Sequence, residues 1–442
     1  MIAAIKNSYE GYKDSGVEWL GQIPEHWELT RLGSYFIERK TKVSDKDYAP
    51  LSVTKNGILP QLENAAKSND GDNRKLVKKG DFVINSRSDR KGSSGIAYED
   101  GSVSLINIVM KPLNINPVFC NYLLKSTAFV EENYRIGHGI VADLWTTRYD
   151  EMKNIKIGIP TAKEQTAIAA FLDYKTAKLD QAIAIKEQQI ALLKERKQII
   201  IQQAVTKGVP APLSARAESR AKLKDSGVEW IGEIPEHWET IKFKYIIRTK
   251  ARLGWKGLKA HEYVDESEFK FLSTPNIKHV DIDFQKAYHI TKFRYEESPE
   301  IMLELGDVLL VKDGSTLGIS NIVKYLPSKC TVNSSIAVLK IGDKNILDPF
   351  YLNYFLKSTT MQNLIELKKD GMGVPHLFQS DINNFSVLIL PIDEQKMIVE
   401  YIEAQSSKVD QAVSIKEQEI EKLKEYKMSL IDAVVTGKVR VC

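Results

Sequence analysis

Two stretches of about forty residues, free of proline and of internal glycine, place apolar side chains at alternating spacings of three and four. The first runs through Leu172, Thr176, Leu179, Ile183, Lys186, Ile190, Leu193, Lys197, Ile200 and Ala204. The second runs through Ile402, Ser406, Val409, Val413, Lys416, Ile420, Leu423, Lys427, Leu430 and Val434. In segments rich in Ala, Leu, Ile, Lys, Glu and Gln, this heptad pattern predicts two long amphipathic helices. Thr161 and Glu164, after Pro160, have the spacing of a capping box, and Gly208 and Gly437 stand where helices end. At about 1.5 Å per residue each apolar stripe is about 65 Å long and needs a cover. Each helix could pack on its own globular block. The polar breaks fall at matching places in both, which favours pairing the two as an antiparallel coiled coil within the chain. The apolar seam is then Leu172, Leu179, Ile183, Ile190, Leu193 and Ile200 against Ile402, Val409, Val413, Ile420, Leu423 and Leu430.

The segments outside these helices are patterned differently. FVINS (Phe82–Ser86) and VLLVK (Val308–Lys312) read as strands. Phe119–Thr127 and Phe350–Thr359 read as helices that begin at Asn116-Pro117 and Asp348-Pro349. Gly80 and Gly306, each followed by Asp, mark tight turns. Short strands mixed with a few helices predict α+β blocks.

The same order of elements occurs twice because the chain is a duplication. KDSGVEWLGQIPEHWE from Lys13 returns as KDSGVEWIGEIPEHWE from Lys224, identical at fourteen of sixteen positions. GDFVINSRSDRKGSSGIA from Gly80 answers GDVLLVKDGSTLGISNIV from Gly306, and NPVFCNYLLKST from Asn116 answers DPFYLNYFLKST from Asp348. DQAIAIKEQQIALLKERK from Asp180 answers DQAVSIKEQEIEKLKEYK from Asp410, with twelve identities in eighteen. A period of about 230 residues is far beyond that of a solenoid. The expected organisation is a first α+β domain over 1–160, a long helix over 161–208, a Pro/Ala/Ser-rich linker over 209–222, a second α+β domain over 223–391 and a second helix over 392–442. Antiparallel pairing would relate the copies by a pseudo-two-fold axis and make the rod a ruler. Residues 37–79 and 248–305 share little and differ in length, so one scaffold would present two unlike surfaces.

Formal net charge is only +4, which permits nucleic-acid binding without requiring it. The segments best suited to touch DNA join basic, small polar and Gly residues in loops. They hold Ser86, Arg87, Ser88, Arg90, Lys91, Arg135, His138 and Arg148 in the first copy. The second copy has Lys312, Asp313, Ser315, Lys368, Lys369 and His376. Catalytic signatures are missing: there is no GxxxxGK[ST] phosphate loop and no nuclease signature. Asp348-Pro349-Phe350-Tyr351 only partly echoes the Asn/Asp-Pro-Pro-aromatic loop of amino-methyltransferases, without a Gly-rich cofactor turn, and reads better as a helix start. The seven His and three Cys residues lack metal-ligand spacing, so neither a catalytic nor a metal site is expected. Cys120, Cys330 and Cys442 read as free thiols of a reducing cytoplasm. His26 and His237, both in IPEHW, read as structural hydrogen-bonding residues that fix the arm of each copy. No stretch is apolar enough to span a membrane, and MIAAIKNSYEGYKDSG lacks the marks of an export signal.

The order reader–helix–reader–helix, with SGVEWLGQIPEHWE and IPTAKEQTAIAAFLD in the first copy and SGVEWIGEIPEHWE and LPIDEQKMIVEYIE in the second, resembles the specificity subunits of type I restriction-modification enzymes. That resemblance implies two target-recognition domains, each reading half of an asymmetric, interrupted site on double-stranded DNA. It implies paired helices that set the gap and dock two modification subunits, which methylate adenine, and restriction motor-nuclease subunits that join them. S-adenosylmethionine, ATP and Mg would then belong to those partners and no cofactor to this prokaryotic, cytoplasmic, non-catalytic chain. Two other readings compete: a solitary DNA methyltransferase, and a coiled-coil scaffold that binds DNA without sequence preference.

Overall fold

The computed structural model describes residues 8–61, 71–139, 145–210, 222–251, 258–259, 262–370 and 375–441. Most of the expected linker, parts of the two divergent segments and Cys442 lie outside them. The chain forms two compact units, residues 1–187 with 417–442, and residues 188–416.

In the first unit, β1 (Glu28–Arg31), β2 (Phe36–Glu38), β3 (Phe82–Asn85), β4 (Ser94–Ile96) and β5 (Asn107–Pro112) precede α1 (Pro117–Lys125) and α2 (Thr127–Arg135). β6 (Lys156–Ile159) then leads into α3 (Ala162–Lys207). The strands β4–β3–β5–β2 form an antiparallel sheet in that order, and β6 pairs with β1. The second unit repeats this with β7 (Glu239–Lys242), β8 (Ile247–Lys250), β9 (Val308–Val311), β10 (Ser320–Ile322) and β11 (Ile336–Ile341). α4 (Pro349–Lys357), α5 (Thr359–Lys368), β12 (Ser386–Ile389) and α6 (Ile392–Val435) complete it. Its sheet order β8–β11–β9–β10 is the same one. The copies part company in their second sheets. The first has three antiparallel strands, Lys42–Val43, Arg74–Val77 and Gly101–Val103. The second has four, and Phe269–Leu272 runs parallel to Lys329–Val332. The segments that share little sequence thus contribute to different second sheets beside a common one.

The helices expected over 119–127 and 350–359 are each broken by one residue. Ser126 and Ser358 are extended, donate to the carbonyls of Leu123 and Phe355 at 2.6 Å, and accept from Phe129 N and Met361 N at 3.3 Å. A serine that offers the backbone a cap starts a new helix rather than extending the old one. Asn116 and Asp348 cap α1 and α4, each accepting two backbone N–H groups. The Asp348 carboxylate is therefore committed to starting a helix, as the sequence suggested.

Each α+β head rests on parts of both long helices. The core of the first unit joins Trp27, Phe36, Phe82 and Phe119 to Ile168 and Leu172 of α3 and to Leu430, Val434 and Val435 of α6. The core of the second joins Trp238, Phe243, Tyr351 and Phe355 to Ile201, Ala204 and Val205 of α3 and to Ile398 and Ile402 of α6. The start of a head's following helix thus meets the end of the other copy's helix. Polar contacts repeat the arrangement. Gln165 accepts from Asn116 N at 2.8 Å, and Asp432 accepts from Thr127 N at 2.8 Å. Gln395 accepts from Asp348 N at 2.8 Å, and Gln202 accepts from Thr360 N at 3.0 Å.

The long helices run antiparallel inside each unit. In the first, Asp180 pairs with Lys427 at 2.7 Å and Lys186 with Glu419 at 2.6 Å. In the second, Lys197 pairs with Asp410 at 2.7 Å, while Ile201 shares a core with Ile398 and Ile402. All twelve apolar seam positions are buried or half-buried. Three of the lysine breaks in the heptads, Lys186, Lys197 and Lys427, send their ammonium groups across to an acid on the other helix. Half-exposed pairs of this kind contribute little stability but select a register.

A lysine at the end of each α1-type helix reaches back over its head: Lys125 donates to Lys55 O at 3.2 Å and Lys357 to His279 O at 3.1 Å. Burial, aided by the charges of Lys324 and Lys197, pushes the Lys357 ammonium down to about 8 from its ordinary 10.5. Below pH 8 that lysine is charged whether folded or unfolded, so the full cost of burying the charge is borne. Above 10.5 both forms are neutral and the cost is gone. Stability should therefore rise between about pH 8 and 10.5, on the order of 3 kcal/mol from this group. Denaturant midpoints of the wild type and Lys357→Met, taken at pH 7.5 and 9.5, check this. The variant's lead at the lower pH should fall by about half at the higher; parallel shifts would contradict it.

Candidate nucleic-acid interface

Strand β3 ends at Asn85, and the chain turns through Ser86, Arg87 and a short 3-10 turn at Ser88–Arg90. A second segment, following α2, lies beside it. Ser88 N donates to Trp145 O at 3.0 Å, and Thr147 N to Ser86 O at 3.0 Å. Thr146 bridges Arg87 on one side and His138 on the other. Of the sequence-predicted residues, Ser86, Arg87, Ser88, His138 and Arg148 thus come together although they are up to 62 positions apart; Arg90 and Lys91 follow on the same turn, and Arg135 ends α2 three residues before His138. A small cleft there is lined by Ser86, Arg87, Ser88, Lys91, Tyr134, Trp145 and Thr147.

The second head builds the same frame. Gly314 N donates to Pro375 O at 2.9 Å and Leu377 N to Lys312 O at 2.8 Å. His376 bridges Asp313 and Asp370. Arg87 therefore corresponds to Asp313, Thr146 to His376, and Arg148 to Phe378, which precedes a short helix just as Arg148 does. Lys312, Asp313 and His376 come together. Ser315 follows on the same turn, and Lys368 and Lys369 close α5 just before Asp370.

Charge partners sort the cations. Arg135 makes a two-pronged bond to Glu132, with both distances 2.7 Å. Glu132 also raises the pKa of the Arg135 guanidinium, chiefly through that bond. Lys91 pairs with Glu131 at 2.6 Å and sits 4.3 Å over the Tyr134 ring. Arg90 lies 3.5 Å from Asp89, and His138 lies 3.5 Å from Glu151. Lys369 pairs with Glu366. Arg87 and Arg148 are exposed, and no ion pair holds either guanidinium among the described residues. Among the sequence-predicted residues of the first head they are the cations most available to a phosphate or a base.

Sequence reasoning missed Trp145, Thr147 and Phe378, which carry the frame or its face. Aligning 135–150 with 367–380 around the bridges would have found them, but the segment changes length between copies. It also missed Gln165 and Gln395, each inside a quoted phrase, which tie the long helices to the heads. The paired histidines hold the arms as expected: His26 Nε2 meets Glu164 at 2.8 Å and His237 Nε2 meets Glu394 at 2.9 Å. Burial alone would raise the Glu164 carboxyl, but bonds from His26 and Thr161 hold it below its ordinary value. Cys120 and Cys330 are buried free thiols, and burial raises both. No helix among the described residues is long and apolar enough to cross a membrane.

Residues 235–425 match the type I restriction modification DNA specificity domain. The chain is 24% identical over 440 residues to the type I restriction enzyme MjaVIII specificity subunit of Methanocaldococcus jannaschii, covering 95% of this chain and 94% of that one. Along nearly its whole length the chain is similar to type I specificity subunits. It is also 22% identical over 210 residues to the EcoKI specificity subunit of Escherichia coli K12, covering 47% of this chain and 44% of that one. The HsdS subunit from Thermoanaerobacter tengcongensis shares the fold, with a TM-score of 0.51 at 16% identity over 94% of this chain and 98% of that one. So does a chain from a study of complex assembly and conformational transition of the type I R-M system, with a TM-score of 0.68 at 15% identity over 93% of this chain and 98% of that one.

Proposed function

We propose that this specificity subunit reads two unlike half-sites on double-stranded DNA, one with each head, for a type I restriction-modification complex. One observation carries the reading: equivalent points of one backbone frame hold Arg87, Thr146 and Arg148 in one head and Asp313, His376 and Phe378 in the other. A scaffold that bound phosphates alone would have no use for different side chains at matched points. The paired helices set the gap and dock two modification subunits, which carry S-adenosylmethionine and methylate adenine. Motor-nuclease subunits that use ATP and Mg join them in the cytoplasm. This chain adds no catalysis of its own.

The test is selection of duplexes from a randomised pool by the full-length chain. Two unlike blocks at a fixed separation are expected. Binding indifferent to sequence and lost steeply on adding salt would sink the proposal in favour of a scaffold. Methylation of DNA by the purified chain with S-adenosylmethionine alone would favour a solitary methyltransferase.

A further inference from the structure

The His376 Nδ1 meets the Asp313 carboxylate, whose other oxygen accepts from Lys312 Nζ at 2.9 Å. A carboxylate only accepts, so Nδ1 carries a proton, and in the neutral ring Nε2 is left as an acceptor. Nε2 makes no hydrogen bond among the described residues. Two residues on, Phe378 has extended backbone and lies on the same side of the segment. Its ring is 4.6 Å from the imidazole at 80°, and the residue is 49% exposed. The face thus offers a hydrogen-bond acceptor beside an apolar ring. In the major groove, the edge that sets a donor amino group beside a methyl belongs to the A·T pair; a C·G pair has the amino group without the methyl.

We infer that the second head reads an A·T base pair, with His376 accepting from adenine N6, Phe378 against the thymine methyl, and Asp313 as the positioning residue that selects the tautomer. The inference rests on the DNA-reading role proposed above. The first head carries no such couple at these positions, where Arg87 and Arg148 present donors suited to guanine.

Duplex selection by the full-length chain, followed by competition titrations, tests it. The wild type should demand an A·T pair at one position of one half-site. His376→Ala should flatten that demand, losing about ten- to hundredfold discrimination there. Deoxyuridine in place of thymine at that pair should weaken the wild type and leave Phe378→Ala indifferent. Asp313→Asn can donate to Nδ1 and move the ring proton to Nε2, so its preference should shift away from adenine; a merely structural carboxylate would not cause that shift. Recognition of the other half-site reports in each case that the variant is folded. A bipartite site whose preferences survive His376→Ala unchanged would overturn this inference and leave the DNA-reading role standing. A wild type that selects no sequence would overturn the role itself.

Discussion

Replacing Arg87 and Arg148 together with alanine should weaken binding to the selected duplex about a hundredfold or more. Each of these guanidiniums lacks an ion-pair partner among the described residues, so neither must break a bond before it meets DNA. A bidentate arginine–guanine pair accounts for about 1–3 kcal/mol of discrimination. Arg135→Ala is the contrast: its fork is already filled by Glu132, and a change of less than about threefold is expected. Titration against cognate and scrambled duplexes at several salt concentrations separates the two kinds of contact. If the arginines touch bases, the loss falls on the cognate duplex and the preference disappears from one half-site only. If they touch phosphates, both duplexes weaken alike and the salt slope falls by about one per arginine. Unchanged affinity for both duplexes would show that this patch does not face DNA. Both side chains are exposed, so thermal stability should move by no more than about 0.5 kcal/mol.

A seven-residue insertion after Gln188 in α3 and another after Gln418 in α6 should widen the gap between half-sites by about three base pairs. Seven residues return an apolar seam to the same face and lengthen a helix by about 10 Å, about three steps of B-form DNA. The positions match because Lys186 meets Glu419 across the seam. Both half-sites should keep their bases, because neither frame is touched. The same insertion in one helix only would leave Lys197 facing the wrong turn instead of Asp410 and should destabilise the protein. Methylated-site mapping or duplex selection reads the gap directly, and an unchanged gap would end the ruler.

Much of this architecture was legible because it is local or repeated. Leu172, Leu179 and Ile183 declare a buried face by spacing alone, and Thr161 and Glu164 announce a cap that the structure closes with bonds of 3.1 and 3.4 Å. The interface was legible in part. Arg87 and Arg148 stood out as cations in polar loops, but so did Arg135 and Lys91, and nothing in the order of residues tells a free guanidinium from one held by Glu132. His376 was visible as one basic residue among several. Its meaning depends on Asp313, 63 positions away, and on Phe378, whose exposed ring no pattern in the sequence singled out.

By itself, the sequence determined the duplication, the α+β character of each head and the seam of the two long helices. Backbone propensity, capping and hydrophobic period act over a few residues and survive without their partners. Only the tertiary structure decided that each head closes on the end of the other copy's helix, through Asp432 at Thr127 and Gln202 at Thr360. A heptad names the face a helix buries but not the head that will lie against its last turns. Only the tertiary structure, too, decided which charges are spent inside the fold and which remain for a partner, because an ion pair depends on distance in space.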